Sequence, residues 1–231
     1  MGNKHSDGRP RSPRSGDLTL MGIIAVVMLV VDQVVKIWVK THMALYSSTR
    51  VTSWFFILFT ENNGMAFGME LFGKLFLSLF RIAAVSVLVW FIVRLAGKRY
   101  PKGFLIALAL VTAGAAGNIF DCVFYGLIFS PSTPLQAAHL VPWGSGYSSL
   151  FHGKVVDMLY FPLVEWDWPQ WMPWVAGRHF IFFSPIFNVA DSCITVGLLM
   201  ILFFYSGSLS RSLQGSNAQP GKEKETKKKK R

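Results

Sequence analysis

Residues 18–36 read LTLMGIIAVVMLVVDQVVK, an apolar run that ends in two charged side chains, Asp32 and Lys36. An apolar helix of about 20 residues is long enough to cross the hydrocarbon core of a bilayer. A cleaved signal peptide would place small residues after its apolar core, whereas Asp32, Gln33 and Lys36 follow this one. The stretch therefore predicts a retained membrane-spanning helix over roughly residues 18–39.

Three further apolar stretches have the length of membrane spans. They predict helices over roughly residues 72–95, 104–124 and 185–205. A mean hydropathy of +0.40 and a hydrophobic content of 52% are also too high for an ordinary soluble domain. We predict an all-α membrane protein with four transmembrane helices in residues 18–206, flanked by disordered basic tails over 1–17 and 207–231.

Positive charge predicts how these helices are oriented. Sixteen of the 23 Lys and Arg residues lie in three patches: before the first span, between spans two and three, and after span four. Because such residues accumulate in cytoplasmic segments, both termini are predicted to be cytoplasmic, with residues 40–71 and 127–184 external. A lysine-rich tail is not the basic face of a folded domain, so we predict no nucleic-acid binding.

The two external segments differ in composition. The first contains an aromatic, strand-like run over residues 54–59, followed by a turn-rich stretch over residues 61–64. The second contains five of the eight tryptophans: Trp143, Trp166, Trp168, Trp171 and Trp174. Because tryptophan favours the boundary between water and lipid, we expect this segment to lie at the membrane surface and to contact membrane lipid.

Charged residues inside the spans converge at one depth. With a rise of about 1.5 Å per residue, Asp32 lies roughly 21 Å above the cytoplasmic end of span one, and Lys36 and Asp121 about 27 Å above the ends of theirs. Spans two and four run the other way, so Arg81 and Asp191 lie about 10 Å below the outer surface. Intramembrane charges usually mark a functional site. We therefore predict a polar pocket just under the external face.

Two sequence repeats and a nearby aspartate indicate the chemistry of this pocket. Asn118-Ile-Phe-Asp121 and Asn188-Val-Ala-Asp191 each place an amide and a carboxylate on one helix face, where the amide can orient the carboxylate. Asp157 lies outside the spans, at the membrane edge, where it can meet Asp191. Two carboxylates in a low-dielectric site share a proton, so one activates water while the other polarises a carbonyl. That is the chemistry of aspartyl peptide hydrolysis.

Other kinds of site find little support in the sequence. The five histidines are scattered without metal-ligand spacing, and the chain has no GxSxG motif and no P-loop. Cys122 and Cys193 lie in apolar surroundings and form no CxxC pair. Lys36 follows Asp32 by one helical turn, which predicts a structural ion pair. No metal or organic cofactor is implied.

Five motifs in this order resemble the lipoprotein signal peptidases (type II signal peptidases) of bacteria. They cover roughly residues 18–205 and read DQVVK (32–36), ENNGMAFG (61–68), GNIFD (117–121), GKVVD (153–157) and FNVAD (187–191). The resemblance implies four transmembrane helices, a small external β-cradle and an interfacial helix. It also implies a monomeric, globomycin-sensitive enzyme of the bacterial inner membrane that cleaves diacylglyceryl-modified prolipoproteins before the lipidated cysteine.

The resemblance also implies roles for individual residues. Asp157 and Asp191 become the catalytic pair, and Asp32 and Lys36 a structural or substrate-facing pair. The residues expected to support the pocket are Asn62, Gly64, Asn118, Asp121 and Asn188. Cys122 departs from the family pattern, which usually has Arg after this motif; Lys36 or Arg81 is a candidate to take over its role.

Two hypotheses from other classes remain open at this point. Buried aspartates also relay protons in proton-coupled transporters and channel subunits, although those proteins more often place such residues near the midplane, in repeated and broken helices. A non-catalytic membrane scaffold would bury the same carboxylates in ion pairs. In that case loss of Asp157 would lower stability without affecting any chemistry.

Overall fold

The computed structural model describes residues 15–63, 73–95, 98 and 100–214. Its helices are α1 (Ser15–His42), α2 (Gly73–Leu95), α3 (Lys102–Phe120), α4 (Gly126–Ile128), α5 (Val189–Phe204) and α6 (Ser206–Gln214). A π-helical turn, Asp121–Tyr125, joins α3 to α4. The strands are β1 (Ser48–Arg50), β2 (Phe56–Asn62), β3 (Val155–Tyr160), β4 (Val164–Asp167), β5 (His179–Phe182) and β6 (Ile186–Phe187).

Within the described residues, three helices are long and apolar enough to cross a membrane. They cover Asp17–His42, Ser78–Leu95 and Lys102–Ile128. The predicted fourth span meets the same criterion only if α5 and α6, which meet at an angle of 85°, are counted as one helix. The 16 residues of α5 extend about 24 Å at 1.5 Å per residue, which is short for a hydrocarbon core of about 30 Å.

The predicted bounds of the fourth span, 185–205, are wrong at the N-terminal end. Ile186 and Phe187 form β6 and pair with Tyr160 and Leu159 of β3. Helix α5 begins only after Asn188, whose side chain accepts a hydrogen bond from the Asp191 amide and so caps the helix. A short apolar run thus divides into a strand and a helix at a polar capping residue.

The structure also differs from the prediction of a disordered tail beginning at residue 207. Residues as far as Gln214 form α6, in which Leu209 packs against the core near Phe104. The Arg211 guanidinium lies 5.0 Å from the centre of the Tyr100 ring, which adds a cation–π contact. A short amphipathic helix of nine residues therefore continues the ordered chain past the apolar span.

A small antiparallel sheet lies at one end of the helices, here called the sheet end. Its strand order is β1-β2-β3-β6, and an irregularity in the β2–β3 register lies between Ile57 and Thr60. The strand predicted over residues 54–59 is present but begins at Phe56. The turn predicted at residues 61–64 is wrong for Glu61 and Asn62, which continue β2 because they pair with Val156 and Val155.

A separate two-stranded hairpin, β4–β5, lies within residues 127–184. Trp166 packs against Phe180 with a distance of 4.3 Å between ring centres, whereas Trp174 at the hairpin tip is 91% exposed. In the described parts of residues 40–71 and 127–184, helix is found only at the ends of α1 and α4, so the predicted interfacial helix is not seen there. Residues 64–72 lie outside the described part of the chain.

Close helix packing holds the centre of the molecule together. Helix α3 packs against both α1 and α5. A side chain at Gly114 would overlap the Ala190 carbonyl oxygen, and one at Gly117 would lie 2.6 Å from the Asp32 carboxylate. Small residues at these two positions therefore allow the helices to pack closely. Large apolar side chains on the outer faces of α1 and α5, such as Val34 and Phe203, are exposed, as expected of surfaces in lipid.

Candidate active site

Two aspartates that the sequence separates by 34 positions meet at the sheet end of the helices. Asp157 lies in β3, a central strand of the four-stranded sheet, and is 5% exposed. Asp191 lies in the first turn of α5 and lines a cavity. The strand β6 and Asn188 lead from the sheet directly into α5, so the two carboxylates come from adjoining elements.

Asn188 connects the two carboxylates. Its amide nitrogen donates to the Asp157 carboxylate at 2.7 Å, while its side-chain oxygen accepts from the Asp191 amide at 2.8 Å. The Asp191 carboxylate in turn accepts from the Asn188 backbone amide at 3.4 Å, which completes a capping box. One fully buried side chain therefore fixes the start of α5 and the position of Asp157 together.

Asn118 has a different partner from the one its motif predicts. Its amide donates to Asp191 at 2.7 Å, and its oxygen accepts from Lys36 at 2.8 Å and from Asn188 at 3.2 Å. The expectation that Asn118 orients Asp121 one turn later is therefore wrong. Helix α3 packs so closely against α5 that its amide reaches across to the neighbouring helix.

Asp121 belongs to a buried ionic cluster beside the Asp157–Asp191 pair, which is called the dyad below. The Lys36 ammonium lies 2.9 Å from Asp32 and 2.8 Å from Asp121, which confirms the predicted Asp32–Lys36 ion pair and adds a second carboxylate. Gln33 donates to Asp121 at 2.9 Å and accepts from the Tyr125 hydroxyl at 3.0 Å. The cluster joins α1 to the π-helical turn directly beneath β3.

Backbone amides complete this cluster. Asp32 accepts from the Ala190 amide at 2.8 Å, and Asp121 accepts from the Val156 amide at 3.4 Å. Ala190 precedes Asp191 and Val156 precedes Asp157, so each supporting carboxylate holds the backbone beside one member of the dyad. Sequence reasoning missed Gln33 and Tyr125. Gln33 could have been recognised, because it places a side-chain amide inside an apolar span.

The electrostatic setting of Asp157 is unusual for a carboxylate. Burial and the nearby Asp191 charge raise the pKa of Asp157 to about 7, although hydrogen bonds from Asn188 and Asn62 oppose the shift. The structure thus places Asn62 of β2 beside Asp157. Gly64, the other residue predicted from that stretch, lies outside the described residues.

A cavity of about 330 Å³ extends from Asp191 between α2, α3 and α5. Its polar lining consists of Arg81, Asn118 and Asp191. Arg81 also donates to the Cys122 sulfur at 3.3 Å, so this arginine reaches the position that follows the GNIFD motif. In the part of the chain that the structure describes, no group of three His, Cys, Asp or Glu side chains could hold a metal ion.

Comparison with known proteins identifies the family. The family model for signal peptidase (SPase) II matches residues 24–206, which is most of the chain. This chain belongs to the signal peptidase II family. A lipoprotein signal peptidase of Porphyromonas gingivalis is 50% identical over 202 residues, covering 87% of this chain and 89% of the relative. One from Amoebophilus asiaticus is 34% identical over 198 residues, covering 83% and 79%.

Solved structures agree with this fold. A bacterial membrane enzyme determined by the in meso method at 2.3 Å superposes with a TM-score of 0.56 at 24% identity, covering 87% of this chain and 93% of that one. A second, at 1.9 Å, gives a TM-score of 0.55 at 25% identity. The chain is thus a multi-pass membrane protease of the signal peptidase II family, aspartic by family, and the predicted resemblance is confirmed. Membership favours the peptidase over the transporter and scaffold hypotheses.

Proposed function

We propose that this membrane protease removes signal peptides from diacylglyceryl-modified prolipoproteins, cutting before the lipidated cysteine with a water molecule activated by Asp157 and Asp191. The observation that carries the proposal is that Asn188 donates to both carboxylates, to Asp157 through its side-chain amide and to Asp191 through its backbone amide. Membership in the signal peptidase II family supports the substrate class.

The surroundings of the two carboxylates support different roles for them. The pKa of Asp157, raised to about 7 by burial and the Asp191 charge, keeps much of this carboxyl protonated up to neutral pH. Asp191 accepts from the Asn118 amide and lies in the first turn of α5, where the helix dipole favours negative charge. We therefore assign the acid to Asp157 and the base to Asp191.

The reaction follows from this assignment. The Asp191 carboxylate takes a proton from water while the water oxygen attacks the scissile carbonyl carbon, and Asp157 gives its proton to the carbonyl oxygen. The resulting diol collapses as Asp191 returns its proton to the leaving amide nitrogen and the C–N bond breaks. As the C–N bond breaks, one diol hydroxyl gives its proton to the Asp157 carboxylate, which leaves a carboxylic acid product and restores both aspartates to their starting protonation. No covalent enzyme intermediate forms.

The supporting residues keep this geometry. Lys36 balances Asp32 and Asp121, whose contacts with the Ala190 and Val156 amides hold the backbone beside each dyad member. Asn62 and Asn188 fix the Asp157 carboxyl. Gly64 stays a prediction from the family motif.

The membrane setting of the proposal rests on the distribution of charge. Basic patches at both ends of the chain favour cytoplasmic termini, which puts the sheet end at the external face of the inner membrane. The substrate then keeps its acyl chains in lipid while its scissile bond reaches the dyad. We also infer that the enzyme works as a monomer and that globomycin-type inhibitors occupy the same site.

Cleavage of a purified diacylglyceryl-modified prolipoprotein, followed by gel shift, tests the proposal. Wild type is compared with Asp157→Asn and Asp191→Asn, each reconstituted in lipid at equal folded yield. Asp167→Asn is the matched control, because this carboxylate lies in the exposed β4–β5 hairpin and pairs with His179 at 2.8 Å. We expect wild type and the control to cleave and both dyad variants to lose at least a thousandfold in rate.

The outcome separates chemistry from stability. A dyad variant that cleaves like wild type would remove that residue from catalysis. A wild type that binds the lipidated substrate without cleaving it would contradict the proposed activity. Equal thermal unfolding of the variants in detergent excludes loss of fold as the cause of lost cleavage.

A further inference from the structure

Arg81 is a charged residue inside an apolar membrane helix, and the proposed reaction gives it no role. Such side chains are costly in lipid and usually face the protein interior. The second arginine of α2, Arg94, lies in its last turn with its guanidinium 4.7 Å from the centre of the Trp90 ring. Arg94 thus has an ordinary position near the helix end, whereas Arg81 needs another explanation.

Arg81 points toward the dyad side of the helix bundle. Its guanidinium donates to Cys122 on the π-helical turn, and it lines the same cavity as Asn118 and Asp191. Among the described residues that line this cavity, Arg81 carries the only positive charge. Lys36, the nearby ammonium, is held by Asp32 and Asp121 at 2.9 and 2.8 Å.

The remainder of the cavity is apolar. Its other lining residues are Ala84, Val85, Leu88, Val111, Ala115 and Ile194. Leu88 lies seven residues after Arg81, or about 10 Å along α2 at 1.5 Å per residue. The cavity therefore has a charged and amide-lined end beside the dyad and a hydrocarbon-lined wall that runs deeper between the helices. Its volume of about 330 Å³ accommodates a segment of a ligand.

We propose that Arg81 is a substrate-positioning residue that donates to a carbonyl oxygen of the lipid-modified substrate, with the adjoining hydrocarbon lying along the apolar wall. This inference rests on the proposed function. A guanidinium carries five N–H donors in one plane, so it can contact Cys122 and a carbonyl together. The carbonyl belongs either to the peptide or to an ester of the diacylglyceryl group, and both present the same acceptor.

Binding is measured first, in an Asp157→Asn background that keeps the substrate intact. The probe is a synthetic peptide with an ester-linked diacylglyceryl cysteine, titrated against the full chain in lipid bicelles. We expect Arg81→Gln to weaken binding about 10- to 100-fold, as for loss of one charge-assisted hydrogen bond, and Arg81→Lys to weaken it less. Arg94→Gln, in the same helix, is the matched control and should bind like its parent.

Kinetics in the otherwise wild-type enzyme then distinguish positioning from folding. Arg81→Gln should raise KM by a similar factor. Its melting temperature should equal that of Arg94→Gln. Equal affinity of Arg81→Gln and Arg94→Gln would overturn the inference, as would a lower melting temperature with unchanged affinity and KM. Arg81-dependent binding without cleavage by wild type would sustain the inference and contradict the proposed function.

A second probe identifies the carbonyl. In an ether-linked analogue the two ester carbonyl groups are absent while the peptide is unchanged. If Arg81→Gln has no further effect on binding of this analogue, the acceptor is an ester carbonyl. If the same fold-loss persists, the acceptor is a peptide carbonyl. Either result supports a contact between Arg81 and substrate.

Discussion

At the scale of single residues, Asp157 is a group whose charge responds to physiological pH. Its pKa is raised to about 7 by burial and by the Asp191 carboxylate, so it carries a proton below that pH. If it acts as the acid, kcat/KM should fall about tenfold per pH unit above pH 7. A pH profile of cleavage that stays flat from pH 6 to 9 would contradict this role.

The same shift affects stability with a defined sign. An ordinary Asp has a pKa of 3.8, so between about pH 4 and 7 the folded state retains a proton that the unfolded state has lost. Folding stability therefore decreases as pH rises through this window and is constant above it. Asp157→Asn removes this dependence, so its melting temperature relative to wild type should rise from pH 4 to pH 7.

Lys36 offers a second test at this scale. It is fully buried between Asp32 and Asp121, so Lys36→Met leaves two buried carboxylates without their cation. Loss of one partner of a buried ion pair costs about 3–5 kcal/mol, and we expect a loss of that order in thermal unfolding in detergent. The double variant Lys36→Met/Asp121→Asn should recover part of it. A single variant as stable as wild type would show that the cluster is not ionised.

At the scale of secondary-structure elements, the junction between β6 and α5 joins folding to the site. Asn188 caps α5 through its oxygen and holds Asp157 through its nitrogen. Asn188→Ser keeps an oxygen cap but has no amide to reach Asp157, whereas Asn188→Ala loses both contacts.

These two variants separate capping from positioning. We expect Asn188→Ala to lose about 1 kcal/mol of stability relative to Asn188→Ser, while both lose cleavage by 10-fold or more. Melting temperature and initial cleavage rate are measured on the same preparations. If Asn188→Ser cleaved like wild type, the amide contact with Asp157 would not be needed.

The π-helical turn is the other element that assembles the site. The Gly153 amide donates to the Cys122 carbonyl at 2.8 Å and the Phe151 amide to the Val123 carbonyl at 3.3 Å, so the chain docks on this turn before it enters β3. A side chain at Gly153 would overlap the Asp121 carbonyl oxygen. The turn thus fixes the position at which β3 begins, and with it the position of Asp157 relative to Asp191.

At the scale of the whole molecule, a second buried ionic network joins distant parts of the chain. Glu61 of β2 contacts Lys40 of α1, Lys154 at 3.1 Å and Ser132 at 2.7 Å. Burial alone would raise the pKa of Glu61, but Lys40, Ser132 and Lys154 together lower it below its ordinary value. The network attaches the sheet and the long segment after α4 to the first helix.

This network predicts a global loss of stability from one substitution. Glu61→Gln leaves the fully buried Lys40 ammonium without a carboxylate, at a cost of about 3–5 kcal/mol. Glu165→Gln is the matched control, because Glu165 is half-exposed and lies 3.8 Å from His179. Chemical unfolding should shift for Glu61→Gln and stay within about 0.5 kcal/mol of wild type for Glu165→Gln. Equal shifts would contradict the network's role.

Local pattern was enough to predict much of this protein. Hydropathy located α1, α2 and α3, because each helix must satisfy its backbone polar groups internally in lipid. The charged residues within those apolar runs identified the polar site, since burial of a charge has to be compensated. The order of five short motifs indicated the family that the comparisons confirm.

Other features depended on contacts between segments far apart in the chain. Asn118 donates to Asp191 and not to Asp121, because α3 packs closely against α5. Asp121 pairs with Lys36 instead. The strand at Ile186–Phe187 forms because β3 offers backbone partners. The approach of Arg81 to Cys122 likewise needs α2 to pack beside the π-helical turn. Sequence determined which buried polar groups need a partner, because the cost of removing a group from water depends on the group and on the apolar stretch around it. Tertiary packing decided which groups pair with each other, because hydrogen bonds depend on positions in space.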